Sequence, residues 1–417
     1  MKKIAIIGTG IAGMGAAYYL KDQYDVTFYE KNNYPGGHTN TLTVKEDGKD
    51  VYIDSGFMVY NEFTYPHFTK LLKELEVPTK ETSMSFSVQH IPTGLEYRGT
   101  DRLFAQRKNL FNIPYIAMLL EIDRFRRKAV EVLEDSRYDQ YTVGQYTKEK
   151  KYRWDFVEKF LIPMSSAVWS VPTEKVLEFP IKTLVRFFNN HGFLGIKTQL
   201  QWRTIEGGSR VYRDKILGLF SGKVFLDSPV TKISRFADHV EVVCINGQKA
   251  SYDKVIVACH ADEALSILNN PTSLERSLLA PFTYHKNHAT LHTDKSLMPK
   301  TKEAWGSWNY RINKKGSKEY ETTTIYYMNE LQGVSQEKDY FVSIDDPGLI
   351  AKDKILWEID YAHPVFNVEA SQAQANLPQL NQNKQVYFCG SYFRYGFHED
   401  ALGSAVNVVD IIKKEEA

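Results

Sequence analysis

The residues of this 417-residue chain whose types and spacing could do chemistry begin with three glycines and an acid. Gly8, Gly10 and Gly13 follow the apolar run Ile4-Ala5-Ile6-Ile7, and Glu30 closes a second run, Val26-Thr27-Phe28-Tyr29. Gly8 permits a tight turn, Gly10 lets the backbone approach a pyrophosphate, and Gly13 lets the next helix pack against the strand. With Ile11 and Ala12 these residues open a helix whose unpaired N–H groups and positive dipole end suit an anion. Glu30, about 20 residues beyond the first glycines, stands where a carboxylate hydrogen-bonds a ribose hydroxyl. Strand, glycine turn, helix, strand and acid in that order predict a Rossmann unit that binds a dinucleotide.

A second glycine pair follows in Pro35-Gly36-Gly37-His38, where backbone N–H groups can approach the pyrophosphate again. A nicotinamide site has no need of this, whereas flavin sites of one broad class use it; a plain surface turn is the alternative. The C-terminal end favours flavin. Phe388-Cys389-Gly390-Ser391 and Gly396-Phe397-His398-Glu399-Asp400-Ala401-Leu402 read as a second strand–glycine–helix junction. Its helix N-terminus can face the electron-rich edge of an isoalloxazine ring and stabilise the reduced anion.

The elements that must position these groups follow from patterning. Lys254-Val255-Ile256-Val257-Ala258-Cys259 and Gln385 to Gly390 are continuous apolar runs, suited to strands covered on both faces. Val224 to Leu226, Val230 to Ile233 and Val240 to Val243 alternate like strands, with Asn246-Gly247 as a hairpin turn. Residues 70–152 read as mainly helical, and Ala289 to Leu291, Thr322 to Tyr327 and Tyr340 to Val342 as strands of a further mixed region. Gln372 to Gln385, rich in Asn and Gln, reads as a linker, and Asp400 to Ile412 as a closing helix. The segment Phe111 to Ile122 is too short to span a bilayer. Basic residues flank it on both sides. It reads first as a buried helix with a solvated charged face; the rival reading seats it on an anionic bilayer surface.

Hydrophobic content of 43%, charged content of 25% and a formal charge of +1 describe an ordinary globular protein and give no reason to expect a nucleic-acid partner. Three scattered cysteines form no disulfide framework and fit a reducing compartment, so the cytoplasm is the expected location, with peripheral contact at the inner membrane face as the variant. His285, His288 and His292 would share a face on a helix but divide between faces on a strand, and Tyr, Thr and Leu around them argue for strand; no metal site is expected. Asp54 reads as a brace of the nearby loop rather than a base.

Beyond the glycine motifs, the strings Asp54 to Asn61, Met84 to Ser87, Phe104 to Arg107, Ala167-Val168-Trp169-Ser170, Gln201 to Thr204, Ser307 to Tyr310, Tyr361 to Phe366 and Tyr395 to Asp400 carry a family likeness. The chain resembles the flavin-containing amine oxidoreductase superfamily, and within it a bacterial group similar to the N-terminal flavoprotein region of plant cyclopropane fatty acid synthases. The resemblance implies an α/β fold (α+β overall): a glutathione-reductase-type FAD-binding domain from residues 1–62, 204–284 and 384–417, a mainly helical region at 63–203, and a mixed-sheet substrate domain at 285–383, as in monoamine oxidases. It implies non-covalent FAD, with Gly8, Gly10, Ile11, Ala12 and Gly13 at the pyrophosphate and Glu30 with Lys31 at the adenosine ribose. Gly36, Gly37 and His38 would line the phosphate and ribityl region, and Gly56 and Phe57 would lie beneath the ring. Val230 and Ala258 would meet the adenine side, Gly390 and Ser391 the ribityl chain, and His398, Glu399, Asp400 and Ala401 the pyrimidine end.

The chain also departs from the superfamily. Where many members place a lysine near flavin N5, this chain has Asn287, with Lys286 on the other face of the strand; His38 replaces a usual arginine. No catalytic acid or base is identified. Aromatic residues including Trp169, Trp202, Trp305, Trp308, Tyr361, Phe366 and Tyr395 would either line an apolar tunnel or fill the core. The reading that follows is an FAD-dependent oxidoreductase that dehydrogenates or desaturates an apolar, lipid-like substrate such as a methylated or unsaturated acyl chain. The alternatives are an oxidase of a small amine or polyamine, and a non-catalytic flavoprotein that docks a cyclopropane-synthase-type methyltransferase.

Overall fold

The structure, a computed structural model, describes all residues except 100–101, 170, 196–199, 316–318, 383–384 and 417. Ser170 and the boundary at residue 384 thus lie outside the described residues.

Five parallel strands carry the glycine turn: β1 (Lys2–Ile7), β2 (Tyr24–Tyr29), β3 (Val224–Phe225), β4 (Lys254–Val257) and β5 (Val386–Phe388), in the spatial order β3-β2-β1-β4-β5. β4 and β5 are buried along their whole length, as continuous apolar runs require. The chain moves outward from β1 through β2 and returns on the other side of β1 with β4. That reversal opens a crevice beyond the carboxyl ends of β1 and β4, the place where open α/β sheets bind ligands.

Helix α1 (Ile11–Leu20) leaves the glycine turn, and helix α4 (His398–Glu416) leaves the C-terminal junction. The two pack closely enough that a Cβ added at Gly15 would sit 2.3 Å from Leu402 Cδ1. The end of α4 is tied back to the sheet: Lys2 Nζ donates to Glu416, Tyr24 Oη to Glu416, and Lys254 Nζ to Glu415, at 2.6, 3.0 and 3.1 Å.

A second sheet of seven strands supplies the other wall. Its order is Ile355–Val365, Thr283–His292, Phe341–Ile344, Glu319–Tyr327, Trp308–Lys315, Phe86–His90, Leu95–Arg98. All neighbours are antiparallel except Trp308–Lys315 and Phe86–His90, which run parallel. The 63–203 stretch therefore contributes two strands to this sheet, besides helices α2 (Pro66–Glu74) and α3 (Ile113–Lys128). Thr283–His292 is a strand, so Lys286 is exposed while Asn287 is buried, and His285 and His288 face opposite ways.

Two sequence expectations change. The 372–385 stretch is no loose linker: a helix at Val368–Gln374 and a turn at Leu377–Gln382 bury Ala373, Leu377 and Leu380. The reason is Asn381, whose side chain accepts from Phe388 N at 2.7 Å and donates to Phe388 O at 3.0 Å, satisfying the free side of the edge strand β5. The helix around Phe111 to Ile122 is expected to turn a charged face to solvent, and the face it exposes is apolar. Tyr115, Met118, Ile122 and Phe125 are buried on one face, while Ile113, Ile116 and Leu120 on the other are exposed.

Candidate active site

The glycine turn is built as its residue types require. Gly8 has φ +103°, and a Cβ there would lie 2.9 Å from Ala258 O. At Gly13 a Cβ would come within 2.1 Å of Gly8 O. Gly10 differs: a Cβ there would meet nothing within 4 Å, and no side chain caps the helix that begins after it. The open space thus lies at Gly10 and the uncapped end of α1, with the Ile11 and Ala12 side chains buried behind it. Ala258, at the end of β4, donates its N–H to Ile7 O at 2.9 Å, which places it beside Gly8.

Glu30 is buried and holds the turn from behind. Thr9 donates to its Oε2 from the backbone N (3.0 Å) and from Oγ1 (2.6 Å); Asn32 donates to its Oε1 from N and from Nδ2, both at 3.0 Å. Four donors occupy the carboxylate, so a ribose hydroxyl would share or displace one of them. Lys31 is half exposed and ion-paired with Glu263. Val230 starts the strand Val230–Arg235 close by, because Ser228 N donates to Glu30 O at 2.8 Å.

The second glycine loop lies against the first. A Cβ at Gly37 would be 3.7 Å from Gly10 Cα, and Gly36 N donates to Thr9 Oγ1 at 2.9 Å. Gly56 has no room for a Cβ, which would lie 2.3 Å from His38 O, and Phe57 N donates to that same oxygen. The His38 ring stacks on Tyr361 at 4.7 Å and stands 5.0 Å from His363; its Nε2 is buried and has no hydrogen-bond partner. Burial holds His38 well below the usual imidazole pKa, with His363 adding to the shift. Asp54 is a brace: it accepts from Thr41 Oγ1, Gln332 Nε2, and both N and Oγ of Ser209, which leads into the helix Arg210–Gly218.

At the C-terminal junction, Gly390 follows β5, a Cβ there would clash with the Tyr392 ring at 2.6 Å, and Ser391 starts a short turn closed by Gly396 N donating to Ser391 O. His398 lies face to face with Phe57 at 3.7 Å and bonds Tyr212 Oη through Nε2 at 2.8 Å. Burial pushes its pKa down to about 3. Glu399 turns its carboxylate to α2, accepting from His67 N and Phe68 N at 2.9 Å each. Asp400 accepts from Tyr395 N and Phe397 N, and Ala401 is buried in the first turn of α4. Burial raises both carboxyls to about 7.

On the second sheet, Asn287 is buried and its amide is fixed by its neighbours. Its Nδ2 donates to Asp345 at 2.6 Å, and its Oδ1 accepts from His363 Nδ1 at 2.7 Å. Burial lowers His363 to about 4, with His260 and His285 adding to the shift, so the imidazole is neutral at pH 7. Tyr361 joins the same face through bonds with Ser55 Oγ and Asn40 Nδ2. The aromatic residues do not form one tunnel. Trp169 packs with Phe179, Phe187 and Phe397 and donates to Tyr395 O, beside the C-terminal junction. Trp305 packs instead with Tyr327 and Phe341 in a separate apolar cluster.

Sequence reasoning missed Tyr212. Fully buried, it joins Thr39 Oγ1 (3.0 Å) to His398 Nε2 and so links the second glycine loop to the C-terminal junction. It missed Thr9 as well, although a hydroxyl between two glycines of the turn was a visible signal. A flavin dinucleotide fits this arrangement: open space at Gly10, an uncapped helix end, two glycine loops in mutual contact and a buried His38 nitrogen lacking a partner converge on one crevice.

Comparison with known proteins agrees. Residues 11–290 match the family described as flavin containing amine oxidoreductase. The 1-hydroxycarotenoid 3,4-desaturase of Flavobacterium sp. strain P99-3 is 27% identical over 186 residues, 43% of this chain and 33% of that protein, so the match spans a third of its length. Among solved structures, cyclohexylamine oxidase from Brevibacterium oxydans IH-35A superposes with a TM-score of 0.72 at 16% identity over 100% of both chains. A fatty acid isomerase from P. acnes, described as producing CLA, does so with 0.67 at 11% identity, over 99% of this chain and 98% of its own. At such identities these superpositions speak for the fold, which is that of the monoamine-oxidase-like flavoenzymes. With two thirds of its length matched by the family, the chain belongs to the flavin containing amine oxidoreductases, and its cofactor is FAD.

Proposed function

We propose that the protein dehydrogenates or desaturates an apolar, lipid-like substrate. The observation that carries this reading is the buried Asn287–His363 pair on the second sheet, where the superfamily resemblance leads one to look for a lysine. With Lys286 turned to solvent, the groups converging here are an amide, neutral imidazoles and the Tyr361 hydroxyl. None of these groups brings a charge at pH 7, and the one carboxylate beside them, Asp345, is engaged by Asn287 Nδ2 and His288 N. Such a wall favours a hydrocarbon over a polar substrate, because burying a charge without a partner is costly and burying apolar surface is favourable. Two similar proteins named above act on lipids by name, a hydroxycarotenoid and a fatty acid.

FAD supplies a two-electron acceptor when bound. The chain's own residues do the rest. The Trp169–Phe187–Phe397 cluster packs beside the junction, with Trp169 and Phe187 buried and Phe397 half-buried, and an alkyl chain bound against it would be kept from water. Asp345 orients Asn287, and Asn287 fixes the His363 ring with its proton on Nδ1, leaving Nε2 in the acceptor form. Burial keeps the His363 imidazole neutral over the working range, so its Nε2 is a hydrogen-bond acceptor that positions a substrate rather than a strong base.

An anaerobic screen of acyl lipids and amines, followed by loss of flavin absorbance, tests the proposal. Bleaching by an acyl lipid supports it. Bleaching by amines alone would transfer the protein to the amine-oxidase reading, and a flavin that no candidate reduces would favour a non-catalytic partner of a methyltransferase.

A further inference from the structure

We infer that the segment from Arg102 to Lys128 docks the protein on an anionic lipid surface. Six of the eighteen exposed large hydrophobic residues described in the structure fall between positions 104 and 120. Phe111 is 88% exposed, Ile113 78%, Leu120 66% and Leu110 50%, with Phe104 and Ile116 at their edge. Ile113, Ile116 and Leu120 share one face of α3, at spacings of three and four, and the opposite face carries the buried Tyr115, Met118, Ile122 and Phe125. The helix is apolar on both sides. One side is covered by the protein's own core; the other continues into the turn Arg107–Phe111 and faces solvent.

Charge identifies the occupant. Residues 102–128 hold seven basic and two acidic side chains, whereas the whole chain carries a formal net charge of only +1. Arg124 and Arg126 are used inside the protein, bonded to the Lys150 carbonyl and to the Leu194 and Gly195 carbonyls. Arg102, Arg107 and Lys108 are exposed before the apolar face, and Arg127 and Lys128 after it. Arg127 pairs with Asp123 across one helical turn, and Lys108 Nζ reaches Gly94 O at 3.5 Å. An apolar face between two exposed basic ends matches a bilayer whose acyl boundary accepts Phe111 and Leu120 while its anionic headgroups meet the cations. A protein groove of matching shape would account for the apolar face but gives no reason for cations at both ends. No helix among the described residues is long and apolar enough to cross a membrane, so contact at the surface is the mode this segment supports.

Sedimentation of the flavin-loaded full chain with vesicles tests the inference, independently of any enzyme activity. Phosphatidylglycerol-rich vesicles should pull the protein down at low salt, and pure phosphatidylcholine vesicles or high salt should release it. The double variant Phe111→Asp with Leu120→Asp should bind at least about tenfold more weakly. Arg107→Gln and Lys108→Gln should each cost about fivefold. These side chains are exposed, so the variants should keep the wild-type melting temperature; that measurement separates lost docking from lost folding. Absence of binding to phosphatidylglycerol vesicles, binding unaffected by these substitutions, or a patch whose substitution converts a dimer to a monomer without changing lipid binding would each overturn the inference.

Discussion

The two loop-to-helix junctions that meet at the crevice are made by opposite means. At the N-terminal one the backbone is bare: glycines bring strand, turn and helix together, and the helix end has no side-chain cap. At the C-terminal one the chain fills its own space. His398 stacks on Phe57, Glu399 binds the start of α2, and Asp400 holds the Tyr395–Phe397 loop. The first junction is shaped to be completed by a bound anion, and the second is completed largely by the protein. A substitution should therefore act on ligand binding at one and on folding at the other, with Gly8 and Gly13, whose added Cβ atoms would meet backbone, as the informative exceptions.

The largest effect expected is from Gly13→Ala, whose Cβ meets backbone at 2.1 Å and should cost about 3 kcal/mol or more in thermal unfolding. Gly10→Val, three residues away, should leave the melting temperature of the flavin-free protein unchanged and weaken FAD binding about 100-fold in a fluorescence titration, because its side chain enters open space. Equal losses of stability from both would erase the distinction between the junctions. At the other junction, Asp400→Ala removes the acceptor of two backbone N–H groups and should cost about 2 kcal/mol.

Asp400 also gives a signed pH dependence. Its folded pKa, about 7, lies above the unfolded value near 4, so the folded state holds a proton that the unfolded state releases. That contribution to stability is present below about pH 4 and is lost as pH rises to about 7. Asp400→Asn should flatten this decline in a series of thermal melts; an unchanged slope would remove Asp400 as its source. Glu399→Ala uncaps α2 and should cost about 1 kcal/mol. Least of all, Lys31→Ala breaks an exposed pair with Glu263 and should change stability by less than about 0.5 kcal/mol.

How much could be read from sequence follows the range of the interactions. The Gly8–Gly13 turn and the strands on either side are local, encoded by glycines and periodicity within thirty residues, and they stand where the pattern puts them. β4, β5 and α4 were visible for the same reason. The order of the seven-stranded sheet was not, because pairing Phe86–His90 with Trp308–Lys315 joins residues more than two hundred positions apart with no local signal. Asn381 looked like linker composition until its amide was found paired with Phe388. Tyr212 gave no sign of its role, since one tyrosine in an amphipathic helix reads as core. The segment at α3 misled in another way: an apolar run predicts a helix but does not say how many of its faces the protein covers.

The latch between α4 and the first strand has a consequence for biosynthesis. The two junctions of the crevice come from residues before position 60 and after position 385, with Ala258, Asn287 and Tyr361 supplied from between, and the closing helix must dock on α1 before the two junctions meet. A ribosome that has released only the first three hundred residues has made the glycine turn but not its counterpart. Coenzyme capture is accordingly a late event in the maturation of this polypeptide, and a nascent chain stalled before Gly390 should emerge colourless.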